Sequence, residues 1–163
     1  MKLICAVNND WAIGYRQNLL YDIPQDMQYF KYVTMGKTVI MGTNTFNSLR
    51  VKPLPNRTNI VLSNSISKYY NTIVCNSVSS LKTAIKDIPT DDIIVIGGQS
   101  IYSLLLPECS TAYITKVYSS TLADAYFPVN LDMCNRWRLV KRSEWYNHNG
   151  ISYNFNTYIR TNQ

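Results

Sequence analysis

Four short runs of apolar, mostly β-branched residues alternate with segments of helical periodicity, and this alternation limits the folds open to the chain. The runs lack a polar face, which is typical of parallel strands covered by helices on both sides. They occupy residues 3–7, 38–41, 59–62 and 93–96. The helical patterns occupy residues 24–34, 43–49, 78–86 and 99–106. This order predicts an α/β fold with a mostly parallel sheet.

The pattern changes after Pro107, a residue that we expect to end the last of these helices. Strand-like segments follow at residues 112–118, 138–141 and 151–159, the last two joined by a turn at 147–150. We expect this tail to add an antiparallel hairpin to one edge of the sheet. The sequence therefore predicts one domain over residues 1–163, with a mixed, mostly parallel sheet flanked by helices on both faces.

Composition argues against several classes of protein. The longest apolar run has five residues, far short of the roughly 20 that cross a bilayer, and no secretory signal precedes it. The four cysteines form no C-x-x-C pair, and the single histidine, His148, lies in a predicted turn. We therefore expect a cytoplasmic protein with reduced thiols, no metal site and no histidine-based catalysis.

Charge and patterning also indicate the kind of partner. The net charge of +6 favours phosphorylated or anionic ligands, but the basic residues are scattered rather than gathered into a stripe. We therefore do not expect nucleic acid binding as the main role, nor a membrane partner. No element has an obvious unpaired apolar face, so we expect a monomer that acts on a small molecule.

Two strands run directly into helices through small residues. Gly42 follows the second apolar run, and Gly97 and Gly98 follow the fourth. The carboxyl ends of strands in an open α/β sheet bind ligands, and exposed N–H groups at helix starts there hold phosphates. Each junction alone could be only a tight turn. Together, the two junctions favour a nucleotide with two phosphates.

Asp26 and Arg57 are the charged residues that the sequence favours as site residues. Asp26 lies in the first turn of the first helix, on one face with Met27 and Phe30. It is either a carboxylate that complements the helix dipole or a partly desolvated acid in a pocket, and the sequence does not decide between these. Arg57 follows a stiff turn at residues 53–55 and could bind a carboxylate through two hydrogen bonds or lie free on the surface.

In chain order, these features resemble dihydrofolate reductase of the short monofunctional type found in bacteria and phages. The resemblance spans nearly the whole chain. It depends on Ala6, on Tyr102 and on residues 11–14, 24–31, 39–46, 53–57, 94–98 and 124–128.

The resemblance implies an enzyme that reduces 7,8-dihydrofolate to 5,6,7,8-tetrahydrofolate by hydride transfer from NADPH, and so supplies one-carbon carriers for thymidylate and purine synthesis. By this resemblance, Asp26 hydrogen-bonds N3 and the 2-amino group of the pterin, Thr115 is its hydrogen-bonding partner, and Tyr21 orders the water nearby. The implied substrate-binding residues are Cys5, Ala6, Met27, Phe30, Lys31, Leu49, Leu54, Arg57 and Ile96.

The resemblance also implies a binding site for NADPH. Residues 8–20 resemble a mobile loop that closes over the nicotinamide. The implied cofactor-binding residues are Ala6, Ile13, Gly14, Leu19, Gly42, Thr43, Thr45, Leu62, Ser63, Asn64, Gly97, Gly98, Gln99, Ser100, Ile101 and Tyr102.

Three positions depart from the family's usual pattern. Tyr21 replaces a common Trp, and Asn56 replaces a common Gly in the turn before Arg57. Thr43 and Ser100 replace arginines that would hold the 2′-phosphate of NADPH, so we expect a weaker preference for NADPH over NADH. Alternative functions are a pyrimidine reductase of riboflavin synthesis, or a non-catalytic nucleotide- or RNA-binding protein on the same fold.

Overall fold

The computed structural model describes residues 1–162. The helices are α1 (Pro24–Thr34), α2 (Thr43–Ser48), α3 (Val78–Ile85) and α4 (Gln99–Leu105). The strands are β1 (Lys2–Val7), β2 (Ala12–Tyr15), β3 (Asn18–Leu19), β4 (Thr38–Gly42), β5 (Thr58–Leu62), β6 (Ile73–Cys75), β7 (Ile93–Gly97), β8 (Thr111–Tyr118), β9 (Ala125–Tyr126), β10 (Trp137–Arg142), β11 (Tyr146–His148) and β12 (Ile151–Arg160).

The main sheet has the strand order β10-β12-β8-β1-β7-β4-β5-β6, and β11 also pairs with β12. The six strands from β8 to β6 in this order are parallel to one another. β12 is antiparallel to β8, and both β10 and β11 are antiparallel to β12. The predicted mixed, mostly parallel sheet is confirmed, with the antiparallel part at the C-terminal edge.

Helices cover both faces of the sheet, as the apolar runs predict. Successive side chains of a strand point to opposite faces. In β1, Leu3, Cys5 and Val7 therefore belong to the core cluster that includes residues of α3 and α4. Ile4 belongs instead to the cluster on the other face, against which residues of α1 pack. Burial on both faces explains why the parallel strands lack a polar side.

The helix ends follow simple signals in the sequence. Ser77 is the N-cap of α3, where its hydroxyl accepts a hydrogen bond from the backbone N–H of Ser80 and the Ser80 side chain accepts one in return. α4 ends at Leu105, and Pro107 lies in the short 3₁₀-helix that follows. The expected stop at Pro107 is confirmed. No helix in the described part of the chain has both the length and the apolar character needed to span a membrane.

Residues 8–20, which we predicted as a loop, contain a β-hairpin. β2 and β3 pair with each other, and β2 also pairs with β9 to form a small separate sheet. The two turn residues, Arg16 and Gln17, both have left-handed φ angles, of 49° and 67°. Two-residue hairpin turns require such angles, and Asn-Gly is their usual sequence signal. Without that signal, the sequence gives little indication of the hairpin.

The C-terminal strands also differ from the prediction. The turn at Asn149 and Gly150 joins β11 to β12, whereas we expected it to join the segment at 138–141 directly to the last strand. β10 instead pairs with the far end of β12, with an irregularity between Leu139 and Lys141. The final strand has ten residues and is long enough for β10 and β11 to pair along different parts of it.

Candidate active site

The carboxyl group of Asp26 lies half-buried at the start of α1. Its Oδ1 accepts a hydrogen bond of 2.6 Å from the hydroxyl of Thr115 on β8, a residue that is only 1% exposed. Burial raises the pKa of Asp26, and the hydrogen bond from Thr115 offsets part of that rise. Of the two alternatives that the sequence leaves open, the partly desolvated acid describes this environment.

Tyr21 lies just before α1 and links it to the hairpin. Its hydroxyl accepts a hydrogen bond of 3.5 Å from Nδ2 of Asn8. The Asn8 side chain also accepts hydrogen bonds from the backbone N–H groups of Asp10 and Ala12 at 2.9 and 3.0 Å. Asn8 therefore fixes the start of the hairpin next to Tyr21. Our sequence reasoning missed Asn8, whose only signal is an Asn in a turn-like stretch.

Apolar residues form a wall near the middle of α1. Phe30 packs in one cluster with Ile96 of β7 and with Leu49 and Leu54, two residues from the segments that follow α2. These are the residues that the resemblance places around the substrate. Met27 lies outside this cluster and is 42% exposed. The structure thus brings four of the predicted apolar residues together and leaves the fifth open to solvent.

Asn59 holds the turn that carries Leu54 and Arg57. Its side chain is buried in β5, where Oδ1 accepts from the N–H of Leu54 and Nδ2 donates to the Leu54 carbonyl, both at 2.9 Å. Nδ2 also donates to the carbonyl of Arg57 at 3.1 Å. Our sequence analysis missed this role, although a polar residue opening an apolar run was a usable signal.

The guanidinium of Arg57 is half-buried and fixed by two hydrogen bonds. Nη1 donates to the hydroxyl of Thr34 at 3.0 Å, and Nε donates to the Pro55 carbonyl at 2.9 Å. Burial lowers the pKa of Arg57, but an arginine remains charged at neutral pH. Within residues 1–162, no carboxylate lies within 4.0 Å of it. Arg57 is therefore oriented and free to bind an anion, whereas Lys31 is exposed on α1.

The two glycine junctions lie next to each other because β4 and β7 are neighbours in the sheet. A Cβ atom at Gly42 would lie 3.0 Å from the side chain of Ile101, and one at Gly98 would lie 3.3 Å from Oγ1 of Thr45. Neither α2 nor α4 has a side-chain N-cap. The junctions therefore combine close backbone packing with free N–H groups, which suits the phosphates of a dinucleotide.

Gly97 and Tyr102 pack closely against each other at the carboxyl end of β7. Gly97 has a φ of +118°, and a Cβ there would lie 3.1 Å from the Tyr102 ring, so a larger residue would be strained. The Tyr102 hydroxyl donates to the carbonyl of Ile4 at 2.6 Å. Burial raises the pKa of the adjacent Cys5 thiol to about 12, so this thiol is uncharged at neutral pH.

The residues predicted for the adenosine side form a network of neutral hydroxyl groups. Oγ1 of Thr43 donates to Oγ of Ser63 at 2.7 Å. The same Ser63 oxygen accepts from the N–H groups of Ser65 and Ile66 at 3.2 and 3.0 Å. This network holds the chain after β5 against the start of α2. The remaining residues predicted for this side are half-buried Leu62 and exposed Asn64 and Ser100.

The hairpin residues predicted for the cofactor differ in exposure. Ile13 and Gly14 are buried in β2 and half-buried Ala6 lies near the end of β1, whereas Leu19 is 69% exposed. Oε1 of Gln99, on α4, accepts a hydrogen bond from a backbone N–H of β9, the strand that pairs with β2. The small sheet is therefore linked to the glycine junction of β7.

Asp124 is a further anchor of the hairpin. Its Oδ2 accepts a hydrogen bond of 3.0 Å from the N–H of Arg16, and its own N–H donates to the carbonyl of Gly14. The sequence does not indicate this role for Asp124, because its partner is a backbone group 108 residues away. A carboxylate that pairs with a distant backbone group leaves no local pattern in the sequence.

Comparisons with known proteins point to one family. A sequence profile described as dihydrofolate reductase matches residues 1–160. A protein named dihydrofolate reductase from Buchnera aphidicola subsp. Schizaphis graminum is 33% identical over 155 residues, which cover 95% of this chain and 94% of that protein. Proteins of the same name are 35% identical in Neisseria gonorrhoeae, covering 98% and 97%, and 36% identical in Bacillus subtilis, covering 88% and 83%. The chain belongs to the dihydrofolate reductase family.

Proposed function

We propose that this site reduces 7,8-dihydrofolate to 5,6,7,8-tetrahydrofolate, with NADPH as the hydride donor, and that the protein works as a cytoplasmic monomer. The observation that carries the proposal is the half-buried Asp26 carboxyl, fixed by Thr115 on the helix that also supplies Phe30 to the apolar wall. When bound, NADPH supplies the hydride for C6 of the pterin. The product would serve as a one-carbon carrier for thymidylate and purine synthesis.

Asp26 orients the pterin in this proposal. Thr115 donates to Oδ1 and fixes the carboxyl group, while Oδ2 has no hydrogen-bond donor among residues 1–162. The free oxygen leaves acceptor capacity for the N3–H and 2-amino groups of the pterin. The proton for N5 arrives through water, and Tyr21, held by Asn8, orders that water with its hydroxyl.

The rest of the substrate follows α1 toward its C-terminal end. Phe30, Leu49 and Leu54 contact the pterin and benzoyl rings, together with Met27 and the backbone of Cys5, Ala6 and Ile96. Arg57 binds the α-carboxylate of the glutamate tail, because its guanidinium is already oriented by Thr34 and by the Pro55 carbonyl. Lys31 lies near the same tail as a solvent-exposed cation.

The glycine junctions at Gly42, Gly97 and Gly98 hold the pyrophosphate of NADPH at the starts of α2 and α4, neither of which has a side-chain N-cap. The close packing of these junctions leaves no room for a side chain where the cofactor backbone must approach. Ile13 and Gly14 of the hairpin lie over the nicotinamide and exclude water from it. The further residues proposed to contact the cofactor are Ala6, Leu19, Thr43, Thr45, Leu62, Ser63, Asn64, Gln99, Ser100, Ile101 and Tyr102.

The decrease of NADPH absorbance on adding dihydrofolate tests the proposal. We expect oxidation of NADPH that depends on dihydrofolate and yields tetrahydrofolate in equal amount. A pyrimidine reductase of riboflavin synthesis would instead oxidise NADPH only with its own pyrimidine substrate, and a non-catalytic binding protein would oxidise none. Either of these results would contradict the proposed activity.

The preference between cofactors should depend on the neutral residues of the adenosine side. Thr43→Arg adds a guanidinium next to Ser63, where the 2′-phosphate of NADPH is expected. We expect this change to raise the ratio of kcat/KM for NADPH to that for NADH by about tenfold, as one added ion pair of about 1.4 kcal/mol would. Steady-state kinetics with both cofactors measure this ratio.

Asn47→Arg is the matched control for the added charge. Asn47 is an exposed residue of the same short helix, so the variant gains an identical cation at a neighbouring position. We expect its cofactor ratio to stay at the parent value. An equal ratio in Thr43→Arg and the parent would mean that the 2′-phosphate is bound elsewhere.

A further inference from the structure

A cavity of about 690 Å³ lies beside α1, away from the proposed folate cleft. The helix contributes Tyr29, Tyr32 and Val33 to its wall. At 3.6 residues per turn, Tyr29 and Tyr32 lie on a different flank of the helix from Met27 and Lys31, which face the proposed substrate, whereas Val33 shares the face of Asp26. None of the residues that we propose to bind folate lines this cavity.

The strands also separate this cavity from the proposed active site. Lys2, the first residue of β1, and Ile94, the second of β7, line the cavity. The proposed site uses the opposite ends of the same strands, at Ala6 and Gly97. A ligand in the cavity would therefore bind at the N-terminal ends of the strands and leave the carboxyl ends open to the substrate and the cofactor.

Aromatic side chains form much of the cavity wall. The rings of Tyr29 and Phe155 are 4.5 Å apart between centroids, and Tyr113 lines the same cavity. Tyr32 lies at the edge of the cavity and is 83% exposed. Its phenol ring is therefore free to pack over a bound ligand. Burial raises the pKa of Tyr29 to about 12, and its phenol stays protonated as a hydrogen-bond donor. Such a wall favours a flat aromatic ring, which stacks well on other rings.

The charges around the cavity leave one cation in surplus. Lys37 contacts Asp92 at 2.7 Å, and Lys2 lies 4.0 Å from Asp91. Lys141 also lines the cavity but has no carboxylate within 4.0 Å among residues 1–162. Three lysines thus face two carboxylates. The difference of one positive charge matches a ligand with a single negative charge.

We propose that this cavity is a second binding site, for a small planar aromatic monoanion such as a ring that carries one carboxylate. The ring lies against Tyr29 and Phe155, and the carboxylate pairs with Lys141. The volume falls within the range of about 300–1,000 Å³ that is usual for small-molecule sites. This site differs from the folate site, where the bound carboxylate is assigned to Arg57.

Titration with 2-naphthoate tests the proposal. The protein is first saturated with folate and NADP⁺ to fill the active site, and binding is followed through the backbone amide NMR signals of Val33, Ile94 and Tyr113. We expect saturable binding of one 2-naphthoate. Lys141→Gln should weaken this binding about tenfold, and neutral 2-naphthylmethanol should bind the parent about tenfold more weakly than 2-naphthoate does.

Arg138→Gln is the matched control, since it removes one positive charge from the same strand at an exposed residue that does not line the cavity. We expect its affinity for 2-naphthoate to equal that of the parent. Unchanged dihydrofolate reduction in both variants would show that each is folded. The absence of saturable shifts, or an equal loss of affinity in the two variants, would each overturn the proposal.

Discussion

Replacing Asp26 with Asn should lower turnover of dihydrofolate at neutral pH by about a hundredfold or more, the usual contribution of a positioned acid or base. The amide keeps the shape of the side chain and can still accept the hydrogen bond from Thr115 through its oxygen. It loses the negative charge that favours protonation of the bound pterin. The effect should therefore fall on kcat, measured by steady-state NADPH oxidation.

The loss in Asp26→Asn should depend on pH. As the pH falls, a growing share of the substrate is already protonated in solution, and the variant then needs less help from the missing carboxylate. We expect the ratio of parent to variant turnover to decrease steadily toward acid pH. A variant profile parallel to that of the parent would contradict the role of Asp26 in protonation.

The stability of the same variant separates a catalytic role from a structural one. Because burial raises the pKa of Asp26, the folded state binds this proton more tightly than the unfolded state does. Ionisation therefore destabilises the fold at pH values above the raised pKa, and this penalty disappears as the pH falls through that pKa toward its ordinary value. Asn has no such penalty, so at neutral pH the Tm of the variant should equal or exceed that of the parent.

Asp22→Asn is the matched control for this experiment. Asp22 is exposed, lies before the same helix and contacts Arg50 at 3.4 Å on the surface. Surface ion pairs of this kind contribute about 0–1 kcal/mol. We expect its turnover and its pH profile to match those of the parent. Large losses in both variants would indicate that charge before and within α1 acts on the fold rather than on the pterin.

The central sheet could be predicted from the sequence because burial on both faces leaves strands without polar residues. The runs at 3–7, 38–41, 59–62 and 93–96 became β1, β4, β5 and β7 with shifts of at most one residue at either end. The β2–β3 hairpin could not be predicted, because its turn uses Arg16 and Gln17 in left-handed conformations that are unusual for these residues. β6 has three residues, too few for a periodic pattern.

The residues of the candidate site likewise fall into two groups. Local sequence patterns indicate some of them, and the others depend on contacts with residues far along the chain. Asp26 stands out from helical spacing alone, since its neighbours on one face are apolar. Its contact with Thr115 spans 89 residues, so only the family resemblance indicated it. Asn8, Asn59 and Asp124 were missed for a related reason, because each fixes backbone groups through its side chain. Polar side chains that hold backbone groups in this way can be identified only once the fold of the backbone is known.

Replacing Arg57 with Gln should raise the KM for dihydrofolate by roughly 30- to 150-fold, with a much smaller change in kcat. Charge-assisted hydrogen bonds to the tail carboxylate are worth about 2–3 kcal/mol, which corresponds to this range. The carboxylate lies far from the reacting atoms and is bound equally in the ground and transition states, so its loss affects binding rather than chemistry. Steady-state kinetics with dihydrofolate measure both constants.

A truncated substrate separates the lost contact from damage to the turn. Arg57 also donates to Thr34 and to the Pro55 carbonyl, so its removal could displace the wall formed by Leu54. With a 7,8-dihydropterin that lacks the benzoylglutamate, the parent and Arg57→Gln should have the same kcat/KM, because neither has a carboxylate to bind. Arg50→Gln, at an exposed arginine seven residues earlier, should behave like the parent with both substrates. If Arg57→Gln lost equal activity toward the truncated and the full substrate, Arg57 would act on the shape of the turn and not on the glutamate tail.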